Sequence, residues 1–433
     1  MKQTINKNPW LWVPTLYFAE GIPYFLVNTI SVVMFTGMGM PKGEMSLFTS
    51  LLYLPWVLKP FWSPFVDVIK NKRWWILSMQ IVMSAVMCLL PFVLPDGPGT
   101  GFSSAPLFYV TLGLFWITAF ASATHDIAAD GFYMLGLDNG EQSAFVGIRS
   151  MFYRLSSIFG QGVLVAIAGI IHTRTSDIHY AWQITLGLAA VLFSCVTLYH
   201  TWSLPRPSQD KMNIATSSST VAKDFMATFK TFFTKKYIWL ALVFMLLYRL
   251  PEAFLVKMIN PFMLDAPSAG GLGMSEEAVG IVYGTIGSIA LILGGILGGV
   301  AILMLGLKRS LWPMALSLTL PCLSFVFLAM FQPENNWIIG SCVALDQFGY
   351  GFGFTAYMMY LIYFSDGEFK TAHYSICTGF MALSMMLPGL IAGYVQEWLG
   401  YTNFFIFVMV CCFVTAAVTF KVRSIVDPEF GKK

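Results

Sequence analysis

Ala123-Thr124-His125-Asp126-Ile127-Ala128-Ala129-Asp130-Gly131 is the stretch that decides how this chain is read, because it places two acids inside an apolar run from Pro106 to about Leu135. Four residues apart, Asp126 and Asp130 share one face of a helix. Carboxylates in hydrocarbon are costly and usually face a bundle interior or a water-filled cavity. The next apolar run carries Arg149 and Arg154. If the two runs form an antiparallel hairpin turning near Gly140, Asp126 lies at the depth of Arg154, and Asp130 at the depth of Arg149. The spacing predicts two acid–base rungs between membrane-spanning helices.

Composition agrees with that reading. Hydrophobic residues make up 57% of the chain and charged residues 11%, against about 25% charged in soluble domains. Twelve apolar runs are long enough to cross a bilayer, for which about 20 residues suffice. They lie at 9–36, 44–67, 74–94, 105–136, 142–171 and 180–203, then at 236–264, 277–304, 309–331, 336–364, 370–396 and 401–422. The first run follows Lys2 and Lys7 but contains Glu20 and Pro23 and lacks a small-residue cleavage site, so it reads as a span and not as a cleaved signal. Between the sixth and seventh runs lies a linker, with a Ser/Thr-rich segment at 216–220. Its second half puts Val221, Phe225, Phe229 and Phe232 on one stripe, which predicts a short helix on the membrane surface. The expected organisation is an all-α membrane protein of two six-helix bundles, residues 1–204 and 236–433, joined by a cytoplasmic linker over 205–235.

Basic residues set the orientation. With a cytoplasmic N-terminus, 18 lysines and arginines fall on the cytoplasmic side, 2 (Lys42 and Arg174) outside, and 5 within spans. Both termini are therefore expected in the cytoplasm. The two halves also echo each other. Phe25-Leu26-Val27-Asn28 is matched by Phe254-Leu255-Val256-Lys257, Asp126 and Gly131 by Asp346 and Gly351, and Asp138, Ala144 and Leu155 by Asp366, Ala372 and Leu383. Such parallel repeats place a substrate site between halves, near the midplane.

The buried charges are the main functional signal: Glu20, Asp126, Asp130, Glu252 and Asp346 against Lys59, Arg149, Arg154, Arg249 and Lys257. Near-equal numbers of opposite sign suggest a compensated network lining a cavity; buried pairs that only fix helix register are the alternative. His125 could assist a proton relay, or simply pack. The five histidines are scattered without metal-ligand spacing, and the seven cysteines all fall in apolar runs, so neither a metal, another cofactor nor a disulfide framework is expected. Prolines such as Pro23, Pro55 and Pro251 would free backbone carbonyls within spans. Gly294/Gly298 and Gly295/Gly299 form small-xxx-small pairs that predict close helix packing. Tyr24, Tyr153 and other aromatics within spans could offer faces and hydroxyls to a sugar-like ligand.

Lys59-Pro60-Phe61-Trp62-Ser63-Pro64-Phe65-Val66-Asp67 resembles the corresponding segment of AmpG-type muropeptide permeases. His125-Asp126-Ile127-Ala128-Ala129-Asp130-Gly131, followed by Tyr153-Arg154-Leu155, resembles a signature those permeases share with the acetyl-CoA transporters of the major facilitator superfamily. The resemblance implies proton-linked import of anhydromuropeptides across the bacterial inner membrane, and it carries Lys59, Asp67, Asp126, Asp130 and Arg154 over as functional positions. The expected substrate residues are Lys59, Arg154, Tyr24, Asn28, Arg249, Lys257 and Tyr153. Proton coupling is expected at Asp126, Asp130, Glu20, Glu252 and Asp346, and a cytoplasmic gate at Asp67, Lys72 and Arg73. The expected partners are protons, a small anionic substrate and membrane lipid, with no nucleic acid, and the chain is expected to act as a monomer. The alternatives are a carrier of another anionic metabolite, such as acetyl-CoA, or an integral-membrane transferase, for which no His/Asp or metal constellation is visible.

Overall fold

A computed structural model of the chain describes residues 7–95, 106–137, 139–207, 210, 218–367 and 370–431. Helices account for its regular structure, and no strand occurs among the described residues. Nine stretches among them are long and apolar enough to cross a membrane. The last of these, Ala372–Arg423, turns at Gly400, whose φ of 70° is left-handed and suits glycine. Its 52 residues are enough for two crossings. Lys42–Leu51 with Leu54–Val68, and Asn336–Ser365, stand where the second and tenth runs were expected. This arrangement is consistent with twelve spans.

Proline explains two of the breaks. Pro55 cannot donate to the carbonyl of Leu51, and the second span is interrupted at Leu52–Tyr53. Pro251 likewise leaves the carbonyl of Leu247 without its helical donor. The seventh span breaks there into Ile238–Leu247 and Leu250–Leu264. The Thr415 hydroxyl donates to that orphaned carbonyl at 2.9 Å, which satisfies a group that hydrocarbon could not. Among the described residues, three spans carry π-helical turns, at Leu26–Ile30, Ile158–Leu164 and Gly280–Gly287, a distortion that often marks functional segments.

Contacts divide the chain into two compact units, residues 1–31 with 58–225, and residues 32–57 with 226–433. The first is centred on Trp12, Tyr17, Ile76, Phe132 and Tyr133. The second is centred on Phe244, Tyr248, Tyr357 and Tyr360. Within it the Gly294/Gly298 pair of the eighth span packs closely, since a Cβ on Gly294 would collide with the Phe348 carbonyl and one on Gly298 would press on Thr355, whereas a Cβ on Gly299 of the second expected pair would meet nothing within 4 Å. The opposite face of that span exposes Leu293, Ile296, Leu297, Val300 and Met304, an apolar surface suited to lipid. The linker helix forms over Ser218–Phe233, and Phe229 and Phe232 pack into the second unit's core.

Candidate functional site

The fourth span is one continuous helix, Pro106–Gly136, and the fifth begins as Asn139–Ser157. Both pack on the first span. One predicted rung is present: Arg149 Nη2 lies 2.8 Å from Asp130 Oδ1. The first span joins the pair, because the Tyr17 hydroxyl donates to the same oxygen at 3.2 Å. The Arg149 guanidinium stacks 4.4 Å from the Tyr17 ring centroid and 5.1 Å from that of Tyr133. These aromatic faces hold the arginine while its side chain stays 29% exposed, and that of Asp130 is 48% exposed. Glu20, one turn from Tyr17, is buried; its Oε2 has no hydrogen-bond partner among the described residues. The charges of Asp126, Asp130, Arg149 and Lys59 all act on it.

Asp126 and Arg154, the other expected rung, are each half-buried, as is Lys59. Tyr153 sits with its ring centroid 6.3 Å from that of Tyr24 and 5.7 Å from that of Phe25. Asn28 lies in the π-helical turn and donates to the Tyr24 carbonyl at 3.1 Å, while its buried Oδ1 has no partner among the described residues. Tyr24, Asn28 and Tyr153 are therefore brought together on the first and fifth spans.

The gate candidates meet partners that sequence reasoning missed. Asp210, from the linker, accepts from the backbone N–H groups of Lys72 at 2.7 Å and Arg73 at 3.0 Å. A carboxylate on the first N–H groups of a helix is favourable both as a cap and against the helix dipole. Arg73 Nη2 donates to the Thr201 carbonyl at 2.7 Å. The Lys72 stem crosses Gly131, where a Cβ would come within 2.8 Å of its Cε. The motif's closing glycine is thus the floor on which the Lys72 stem lies. The side chain of Asp67 lies outside the described residues.

His125 is fully buried. Its Nε2 lies 3.0 Å from Gln80 Nε2; Gln80 Oε1 is 3.0 Å from His200 Nδ1, and His200 Nε2 is 3.0 Å from Thr15 Oγ1. The chain links four spans and favours the packing reading of His125. A lone Gln80 inside an apolar run was the signal for it.

In the second unit, Arg249 is gripped at the seventh-span break. Its Nε donates to Glu252 Oε2 at 3.0 Å, and its Nη2 to Glu252 Oε1 at 3.1 Å and to the Tyr350 hydroxyl at 2.8 Å. The guanidinium also stacks 4.8 Å from the Phe354 ring centroid. A residue expected to bind substrate and one expected to move protons are here partners in one bidentate pair. Asp346 is buried and accepts from Gln347 Nε2 at 3.1 Å. Lys257 is buried and donates to Thr49 Oγ1 at 3.0 Å. Toward the Lys42 end of the same unit, Lys42 Nζ pairs with Asp265 at 2.6 Å, the Tyr401 hydroxyl donates to Asp265 at 2.9 Å, and Glu397 accepts from the Gly43 N–H at 2.8 Å. These charges fall near run ends and read as solvated loop residues in sequence.

Residues 15–368 match the family model described as Major Facilitator Superfamily. The anhydromuropeptide permease of Escherichia coli K12 is 25% identical over 398 residues, covering 90% of this chain and 75% of the relative. A Rickettsia felis protein, provisionally named transporter AmpG 2, is 27% identical over 416 residues, covering 93% of each chain. Among solved structures, a D-xylose–proton symporter superposes with a TM-score of 0.71, covering 98% of this chain and 99% of its own, at 9% identity. That last likeness is one of fold.

Proposed function

The chain belongs to the Major Facilitator Superfamily, and on that premise we propose that it is a proton-coupled importer of anhydromuropeptides in the bacterial inner membrane. The transport reading is carried by the Asp130–Arg149–Tyr17 cluster, an ion pair joined across three spans whose two side chains stay 29% and 48% exposed. The substrate class is supported by the relative from Escherichia coli, whose name states it. The excess of lysine and arginine on one side, 18 against 2, orients the linker and both termini to the cytoplasm. The two six-helix bundles are assigned to 1–204 and 236–433, and the protein acts as a monomer.

The working residues of this reading are those that can hold or exchange a charge. Arg154 grips a ligand carboxylate, a task guanidinium performs bidentately and lysine does not. Lys59 adds a second positive point, and Tyr24, Asn28 and Tyr153 offer rings and polar atoms to the sugar. In the resting state Arg154 pairs with Asp126 at equal depth. The arriving carboxylate displaces Asp126, which then takes up a proton, so ligand and proton bind together. Asp130 and Glu20 lie within the same field of charge and share that proton. In the second half Asp346 is the matching acid, Arg249 and Glu252 hold the broken seventh span, and Asp67, Lys72 and Arg73 close the cytoplasmic end.

Binding tests this directly. Anhydromuropeptide should raise the unfolding temperature of the purified protein, and acetyl-CoA should not. Arg154→Lys should weaken the ligand's affinity about 10- to 100-fold, the range expected for one charged hydrogen-bonded contact. Unchanged affinity would remove the clamp, and a shift with acetyl-CoA alone would replace the substrate.

A further inference from the structure

Lys257 is the cation that the foregoing reading leaves without a clear task. Only 2% of it is exposed, and its Nζ finds one hydrogen-bond acceptor, Thr49 Oγ1 at 3.0 Å. That hydroxyl spends its own proton on the Met45 carbonyl at 2.7 Å. The Tyr53 ring covers the nitrogen, with its centroid 5.3 Å away. Ser50 stands beside it: a Cβ on Gly389 would collide with Ser50 Oγ and come within 3.3 Å of Lys257 Cε. No carboxylate among the described residues lies within ion-pair distance of Nζ.

Charged groups on every neighbouring element sit elsewhere. On its own helix, Arg249 and Glu252 satisfy each other, and Asp265, eight residues on, holds Lys42. On Lys42–Leu51 the charges are Lys42 and Glu44, in its first turn. On Lys370–Arg423 the side facing Lys257 is Gly389, with Tyr394 and Glu397 more than a turn away. On Glu276–Val279, which also packs on this helix, Glu276 and Glu277 lie in the first turn, and Tyr283 follows in the next segment.

An ammonium has three N–H donors, and here only one is used. Sealing a charge with so little compensation is strongly unfavourable, whereas a neutral amine with two donors fits the site. Lysine differs from arginine in being able to make that change. What seals the site is the segment 42–53, pinned to the rest of its unit by Lys42 to Asp265, Gly43 N–H to Glu397 and Gly393 N–H to Ser46 Oγ.

We propose that Lys257 is a proton-carrying residue, distinct from the acids of the first unit, whose ammonium loses its proton as the segment 42–53 seats over it. When the segment lifts, the amine lone pair takes a proton from water and becomes ammonium. When it seats, that N–H bond breaks and the proton returns to water on the side still open. Seating and release of one proton are then the same event. This assignment rests on the proton-coupled reading above.

Hydrogen exchange on the full-length protein in lipid nanodiscs tests it without any ligand. After correction for intrinsic chemistry, exchange of the amides of 42–53 should slow with rising pH by up to about tenfold per unit, the limit for one linked proton. Lys257→Met, similar in length and always neutral, should exchange slowly at every pH. Lys257→Arg, always charged, should exchange fast at every pH. Thr49→Val keeps the lysine and removes its acceptor, so it should retain the pH dependence with a moved midpoint. A pH profile shared by wild type and Lys257→Met would overturn the proposal, as would a flat wild-type profile. Absence of anhydromuropeptide binding would overturn the substrate reading and leave these profiles as they are.

Discussion

An arginine–carboxylate pair stands in each of the two units, and the two are built in opposite ways. Arg149 and Asp130 come from different spans, meet on a tyrosine of a third, and keep 29% and 48% of their side chains exposed. Arg249 and Glu252 are three residues apart at one helix break and keep only 8% and 6%. Exposed pairs contribute about 0–1 kcal/mol and can change partners cheaply. A sealed pair is different, because removing one member strands the other charge at a cost of about 3–5 kcal/mol. The first arrangement suits exchange of a partner for a ligand or a proton. The second suits holding a broken span in shape.

The largest expected effect falls on the sealed pair. Glu252→Ala should lower the stability of the purified protein by about 3–5 kcal/mol, read from thermal or denaturant unfolding in detergent. Removing both charges, as Arg249→Met with Glu252→Leu, should recover most of that loss. If the double variant is no better than the single one, the pair does more than fix the break. Next comes the carbonyl that Pro251 orphans. Thr415→Val leaves the Leu247 oxygen buried and unpaired, and should cost about 1–3 kcal/mol in the same assay. The open pair should respond least: Asp130→Asn should change stability by less than about 1 kcal/mol. A loss as large as that of Glu252→Ala would erase the contrast between the pairs.

Much of this was legible in sequence, for physical reasons. Hydrocarbon forces long apolar runs, so the spans announced themselves, and the rung from Asp130 to Arg149 followed from matched depth alone. Of the two small-xxx-small pairs of the eighth span, Gly294/Gly298 packs as its spacing predicts, while Gly299 faces open space. What sequence could not supply was the company each charge keeps. Arg249 and Glu252 were assigned separate tasks because a list of buried charges does not say that three-residue spacing across a broken helix turns them toward each other. Tyr17 was one aromatic among many until it proved to share Asp130 with Arg149. Lys42, Asp265, Glu397 and Asp210 lie near run ends, where a charge ordinarily needs no explanation, and only tertiary structure shows them bound.

In the proposed mechanism the acids of the first unit couple protons to an anionic ligand. Uptake of labelled anhydromuropeptide into vesicles holding only this protein, under an inward pH gradient, tests it most directly. Wild-type protein should accumulate the ligand and lose that accumulation when a protonophore collapses the gradient, while Asp126→Asn or Asp130→Asn should still exchange ligand but fail to accumulate it. Accumulation at the wild-type level in both variants would contradict the claim.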